Sequence, residues 1–167
     1  MKRITITHLE AIQDLFGEDT TKRANAVKSV LDGNMMTPWW LISITSGSGY
    51  PIFKASEMIR LECLGVLPVV FDDIVPSFLE DKIRYRVPTE DHAKDIIKLL
   101  DIIKPDERLI VNCEAGISRS AGVAYFAAEY LGLDPNKEFD LNRYHPNSEI
   151  IKLLREAAGF SPLETTE

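Results

Sequence analysis

Cys113-Glu114-Ala115-Gly116-Ile117-Ser118-Arg119-Ser120 is the segment whose residue types and spacing could do chemistry. A short apolar run, Leu109-Ile110-Val111, precedes it and reads as a buried strand. A helix follows, opened by Ser118 or Ser120, running through Ala121–Leu131 and stopped by Gly132. A loop of this length wound into a helix N-terminus can turn its backbone N–H groups inward and cradle an anion. Gly116 permits a backbone conformation that a Cβ would resist. Arg119 offers a planar fork for two oxygens of a phosphoryl group. Cys113 stands at the mouth, where the helix dipole and Arg119 favour thiolate over thiol. Nucleophile, oxyanion cradle and cation together form the set needed to attack phosphorus through a loose, highly charged transition state. A free cysteine is commonly just a small buried hydrophobe, and such a spacing can arise by accident. The strand before and the helix after are independent conditions, and both favour the chemical reading.

The elements that must position this segment alternate along the chain. Ile4–Thr7 reads as a short strand, and Thr20 or Thr21 caps a helix that runs to Leu31 and stops at Gly33. Trp40–Ile44 is a compact apolar strand, broken by the short flexible loop Ser46-Gly47-Ser48-Gly49. Ala55–Leu61 reads as helical, and Leu64–Phe71 as a buried strand that leaves the sheet at Asp72-Asp73. Thr89 caps a helix with apolar residues at Ala93, Ile96, Ile97, Leu99, Leu100 and Ile103, ended by Pro105. A last helix starts near Asn147 and runs to about Ala158; the tail 159–167 loses apolar periodicity and is expected to fray. Apolar strands separated by helices predict an α/β fold with a mostly parallel central sheet flanked by helices. In such sheets the ligand site lies beyond the carboxyl ends of the strands. Thr45-Ser46-Gly47, Asp72-Asp73 and the segment from Cys113 all fall there.

Composition narrows the function. The 167 residues suit one domain, 1–167, with 45% apolar and 27% charged residues, an ordinary globular balance. A net charge of −7 and the lack of a basic stripe argue against nucleic-acid binding. No apolar run approaches the roughly 20 residues of a membrane-spanning helix. Met1-Lys2-Arg3 is followed by no apolar signal core, so a cytoplasmic location is expected. Cys63 and Cys113 make no disulfide framework and suit a reducing compartment. His8, His92 and His145 are scattered, without partners at ligand spacing, so no metal site is expected. Trp39 and Trp40, paired at a strand start, read as core before cleft.

The Cys113-to-Arg119 segment resembles the Cys-x5-Arg signature of the cysteine-dependent protein tyrosine phosphatase superfamily, in particular its compact dual-specificity type with bacterial and viral relatives. Arg143-Tyr144-His145-Pro146-Asn147, then Leu153-Leu154, resembles that family's Arg-x-x-Ser-Pro-Asn run. The resemblance covers Trp40 to about Ala158; residues 1–38 carry no motif. It implies a tyrosine-phosphatase-like three-layer sandwich and no cofactor. It implies Cys113 as the nucleophile that becomes phosphocysteine. Arg119 and the backbone amides of Glu114, Ala115, Gly116, Ile117, Ser118 and Arg119 would bind phosphate. Ser120 would hydrogen-bond the thiolate and help it leave.

The family also needs an Asp on a loop roughly thirty to forty residues upstream, to protonate the leaving oxygen and later activate water. Asp72 and Asp73 lie 41 and 40 residues before Cys113, a slightly long spacing for which the stretch Val75–Pro88 reads as the insertion. Asp73 is the first choice; Asp91 reads as a first-turn helix carboxylate beside Thr89. Asn112 stands where the family has His, so a hydrogen-bond donor is kept and a charge is lost. Relatives that act on phosphoinositides or RNA ends carry basic residues inside the cradle, whereas this chain has Glu114, Ala115, Ile117 and Ser118. The implied substrate is therefore a phosphorylated protein: phosphotyrosine, with phosphoserine and phosphothreonine as extensions. The alternative is a catalytically weak or inactive phosphate-binding pseudophosphatase. Sulfur transfer or arsenate reduction, which also place a Cys at the head of a short anion loop, fit the position of this loop and the upstream Asp less well. Cys63 reads as a buried structural thiol before a redox partner of Cys113.

Overall fold

The computed structural model describes residues 2–47, 51–74 and 86–161. In chain order the elements are β1 (Ile4–His8), α1 (Leu9–Phe16), α2 (Thr20–Leu31), β2 (Trp39–Thr45), α3 (Ala55–Arg60), β3 (Cys63–Val70), α4 (Glu90–Ile102), β4 (Arg108–Cys113), α5 (Arg119–Tyr130), α6 (Pro135–Glu138) and α7 (Ser148–Ala157). The strands form one parallel sheet in the order β1-β4-β2-β3. The expected α/β fold with a parallel central sheet is the observed one.

Alternation along the strands divides the core between the two faces of the sheet. Leu109, Val111 and Cys113 of β4, with Ile42 and Ile44 of β2, join Ile96, Leu100, Phe126 and Leu154 from α4, α5 and α7. On the opposite face Ile110, Trp39 and Leu41 pack with Ile12, Leu15 and Val30 from α1 and α2. β4 lies second in the sheet and is buried at all six residues, as a strand covered on both sides must be. It runs from a helix-covered core straight to Cys113.

Several expectations change. β3 is an edge strand instead of a buried one: Leu64 is 43% exposed and only its first and seventh residues are buried. Pro68 within it costs no inner ladder bond there. The cap of α2 is Asp19, whose carboxylate accepts from Thr21 N and Lys22 N, in place of Thr20 or Thr21. Helices α1 and α6 were not expected. α1 opens on His8, whose ring accepts from Ala11 N; a histidine cap hides a helix start from any search for Ser, Thr, Asp or Asn. α6 is one turn long, with Asp134 as cap and Pro135 first inside. Ser48, Gly49, most of the 75–88 stretch and residues 162–167 lie outside the described residues.

Arg108 ties α2 to the sheet. Its side chain is 1% exposed; Nη1 donates to Leu31 O (3.0 Å), and Nη2 reaches Val30 O (3.4 Å), Asp32 Oδ2 (3.3 Å) and Thr5 Oγ1 (3.3 Å). A cation thus satisfies the last carbonyls of a helix where the dipole favours it. Removing it leaves buried carbonyls without a donor and opens a cavity. Arg108→Ala is expected to cost about 2–4 kcal/mol, read as a lower urea midpoint. A loss under about 0.5 kcal/mol, the range of ordinary surface substitutions, would contradict this role.

Candidate active site

The chain turns between the end of β4 and the start of α5 within five residues, Glu114–Ser118. Two features force the turn. Gly116 has φ +70°, and a Cβ there would come within 2.7 Å of Thr7 O at the end of β1; only glycine fits. Leu9 N donates to Glu114 O (3.2 Å), so the start of α1 holds the other side of the loop. Residues 1–38, which carry no motif, therefore supply the floor of the site.

Inside the turn lies the Cys113 thiol, 2% exposed. Its Sγ is 3.1 Å from Ser120 Oγ and receives the Gly116 N–H at 3.2 Å. Burial, the largest single influence, pushes the thiol up; the Ser120 hydroxyl and the N–H groups of Ser120, Ile117 and Gly116 together outweigh it and bring it below the ordinary thiol value. Cys63 shows the opposite balance: burial with one weak backbone partner, Gly65, pushes it up to about 12. Cys63 packs with the α1/α2 core and Cys113 with the opposite one, so the sheet separates them and the Cys63 thiol stays protonated and structural.

Arg119, 7% exposed, is the first residue of α5. Its Nη1 donates to Ser46 Oγ (3.0 Å) and Phe71 O (2.9 Å), and its Nη2 lies 3.8 Å from Glu114 Oε2. Glu114 Oε1 in turn accepts from Ser46 N at 3.0 Å. Ser46, read from the sequence as part of a short flexible loop at the carboxyl end of a strand, is thus the shared partner of Arg119 and Glu114. Ala115 and Ile117 are exposed on the loop, Ile117 at 44%.

The two upstream carboxylates have different surroundings. Asp73 Oδ1 accepts from Ser118 Oγ (2.9 Å) and from Asn147 Nδ2 (2.9 Å), which pins it to the rim of the loop. Ser118 spends its hydroxyl on Asp73 and makes no side-chain cap for α5. Asp72 instead accepts from Arg86 N (2.6 Å) while its own N–H donates to Arg86 O (2.7 Å); the Arg86 side chain also reaches Ser46 O. The Arg86 N–H is the main cause that holds the Asp72 carboxyl below the usual carboxylate range; burial, the next largest influence, opposes it, and Ser46, Arg86 and Arg119 add to the lowering.

Asn147 joins the pieces. It caps α7 by accepting from Glu149 N and Ile150 N, donates Nδ2 to Asp73 and to Ile74 O (2.7 Å), and gives its backbone N–H to Ser118 O (3.1 Å). His145 N donates to Ile117 O (3.0 Å), so the downstream run packs directly on the turn. Gly122 permits this: a Cβ there would meet Asn147 O at 3.0 Å. Two sequence signals mark Asn147, a cap residue ahead of an apolar helix and the end of the Arg143–Asn147 run, but its bond to Asp73 crosses 74 residues and leaves no local trace.

Asn112 takes the strand position opposite in sense to Cys113. It is fully buried, and its Nδ2 reaches the Cys113 carbonyl at 3.4 Å, not the thiol. The hydrogen-bond donor expected at this position thus reaches Cys113 through its backbone carbonyl. A cleft of about 550 Å³ runs along β1 and is lined also by Ala115, Gly116, Ile117 and Tyr144; neither Cys113 nor Arg119 lines it. Among the described residues no group of three or more His, Cys, Asp or Glu could hold a metal ion, and no helix is long and apolar enough to cross a membrane.

This fold is similar to that of solved structures at low sequence identity. The PTP-2 phosphatase of Cydia pomonella superposes with a TM-score of 0.50 at 15% identity, covering 93% of this chain and 86% of that one. The human tyrosine phosphatase-like serine/threonine/tyrosine-interacting protein gives 0.48 at 14% identity, covering 94% and 91%. No protein-family model and no curated protein sequence matches the chain. The chain shares the α/β fold of the PTP-2 phosphatase, with a parallel central sheet flanked by helices.

The sulfur's partners make a distinct expectation for pH. Ser120→Ala removes the hydroxyl that lowers the thiol, so the midpoint of Cys113 alkylation by iodoacetate moves to higher pH. Asn112→Ala, which touches only the carbonyl, moves it less. An Asn112→Ala shift as large as that of Ser120→Ala would contradict the assignment of donors.

Proposed function

We propose that the protein hydrolyses phosphomonoesters of protein side chains, phosphotyrosine first and phosphoserine or phosphothreonine as extensions, through a phosphocysteine intermediate. The observation that carries this reading is the lowered, donor-ringed Cys113 thiol at the head of a turn that ends in Arg119. The Cys113 thiolate attacks phosphorus and forms the S–P bond while the ester P–O bond breaks. Asp73 gives its proton to the leaving oxygen. Backbone N–H groups from Glu114 to Arg119 and the Arg119 fork hold the equatorial oxygens. Water then attacks phosphorus as Asp73 takes back a proton; the S–P bond breaks, and the Ser120 hydroxyl stabilises the departing thiolate. Asp73 is favoured as the acid because Ser118 and Asn147 hold it at the loop. Asp72 is engaged by Arg86 and kept ionised. The chemistry asks for no cofactor, and two free thiols suit the cytoplasm.

The expected behaviour is hydrolysis of aryl phosphates that survives chelator and is abolished in Cys113→Ser. Asp73→Asn, which keeps the oxygen that Ser118 and Asn147 bond, slows poor leaving groups about 10²-fold or more while p-nitrophenyl phosphate suffers less, since nitrophenolate leaves with little protonation. Equal losses on both substrates would count against Asp73, and a leaving-group-dependent loss in Asp72→Asn would transfer the role to its neighbour. Binding of phosphate without turnover by the intact protein would favour the phosphate-binding module instead.

A further inference from the structure

Arg119 has a committed half and an available half. Both hydrogens of Nη1 go to Ser46 Oγ and Phe71 O. The Nε–Nη2 edge is then the one that can take two oxygens of an anion. Glu114 stands against that edge, its Oε2 3.8 Å from Nη2, and cannot drift away freely because Oε1 is tethered to Ser46 N at 3.0 Å. The carboxylate is 45% exposed, so it is at the rim of the site, where neighbouring groups of a ligand would lie.

We propose that Glu114 is a specificity-determining counter-charge of this site. It offsets Arg119 so that one phosphoryl group enters, while a second negative charge beside it is disfavoured. The inference rests on the phosphate-cradle reading of the Cys113–Arg119 turn and narrows its substrate class to monophosphorylated protein segments with neutral or basic flanks. Bisphosphorylated or acid-flanked ligands meet Glu114 at the rim and a chain of net charge −7 beyond it. An exposed charge at this range changes affinity by about three- to fivefold.

Glu114→Gln keeps an oxygen for Ser46 N and removes the charge, so it tests the electrostatics without moving the loop. The probes are inorganic phosphate and pyrophosphate, titrated calorimetrically into wild type and Glu114→Gln at low and high salt. Wild type is expected to bind pyrophosphate no more tightly than phosphate. In Glu114→Gln both bind more tightly, pyrophosphate gains about three- to fivefold more than phosphate, and the gap narrows in high salt as screening requires. Identical binding by the two proteins, or an equal gain for both anions, would overturn the inference while leaving the phosphate cradle standing. Failure of both proteins to bind phosphate would overturn the cradle, and the inference with it.

Discussion

A buried sulfur surrounded by N–H and O–H donors is the constraint on which the site depends. A thiol 2% exposed should be driven toward its neutral form, as Cys63 is. Cys113 goes the other way only because the chain turns around it so closely that Gly116, Ile117 and Ser120 face one atom. That turn needs a left-handed Gly116 pressed on Thr7 O, a strand that ends at the sulfur, and a helix that starts at Arg119. The sheet order follows the same need: β4 is flanked by β1 and β2, and both neighbours touch the loop, β1 at Gly116 and the end of β2 through Ser46.

A second layer of contacts fixes what surrounds the sulfur. Asn147 links α7, the turn and Asp73, while the Arg86 N–H donates to the Asp72 carboxylate, the Asp72 N–H donates to Arg86 O, and the Arg86 side chain leans on Ser46. Two adjacent carboxylates thereby acquire different duties. One is held at the cradle by neutral donors, the other is kept ionised by a backbone N–H and nearby guanidinium groups. Charge at the rim is balanced the same way, with Glu114 and Arg119 sharing Ser46 as a common anchor.

Much of this was legible in the sequence where the signal is local. The Cys113–Ser120 segment, the apolar run of β4, the Thr89 cap of α4 and the Asn147 cap of α7 each announce themselves within a few residues. The fold class followed from the alternation of apolar runs and helices. What was hidden depends on distant partners. Whether Leu64–Phe71 lies inside or at the edge of the sheet is decided by strand order, which no local pattern encodes. Ser46 could be placed at a strand's carboxyl end, but its bond to Arg119, 73 residues later, leaves no local trace. Residues 1–38 look silent because they contribute a carbonyl, an amide and a helix-covered strand to the loop, and such backbone duties leave no side-chain motif.

The most direct measurement is the chemical location of the phosphoryl group during turnover. Asp73→Asn protein, in which the proposed water activation would be slowed, is mixed with p-nitrophenyl phosphate, quenched rapidly and mapped by peptide mass spectrometry. The expected result is a phosphoryl group on Cys113, absent from the same preparation carrying Cys113→Ser. Hydrolysis with no protein-bound phosphoryl group, or with one on any other residue, would contradict the assignment of Cys113 as the nucleophile.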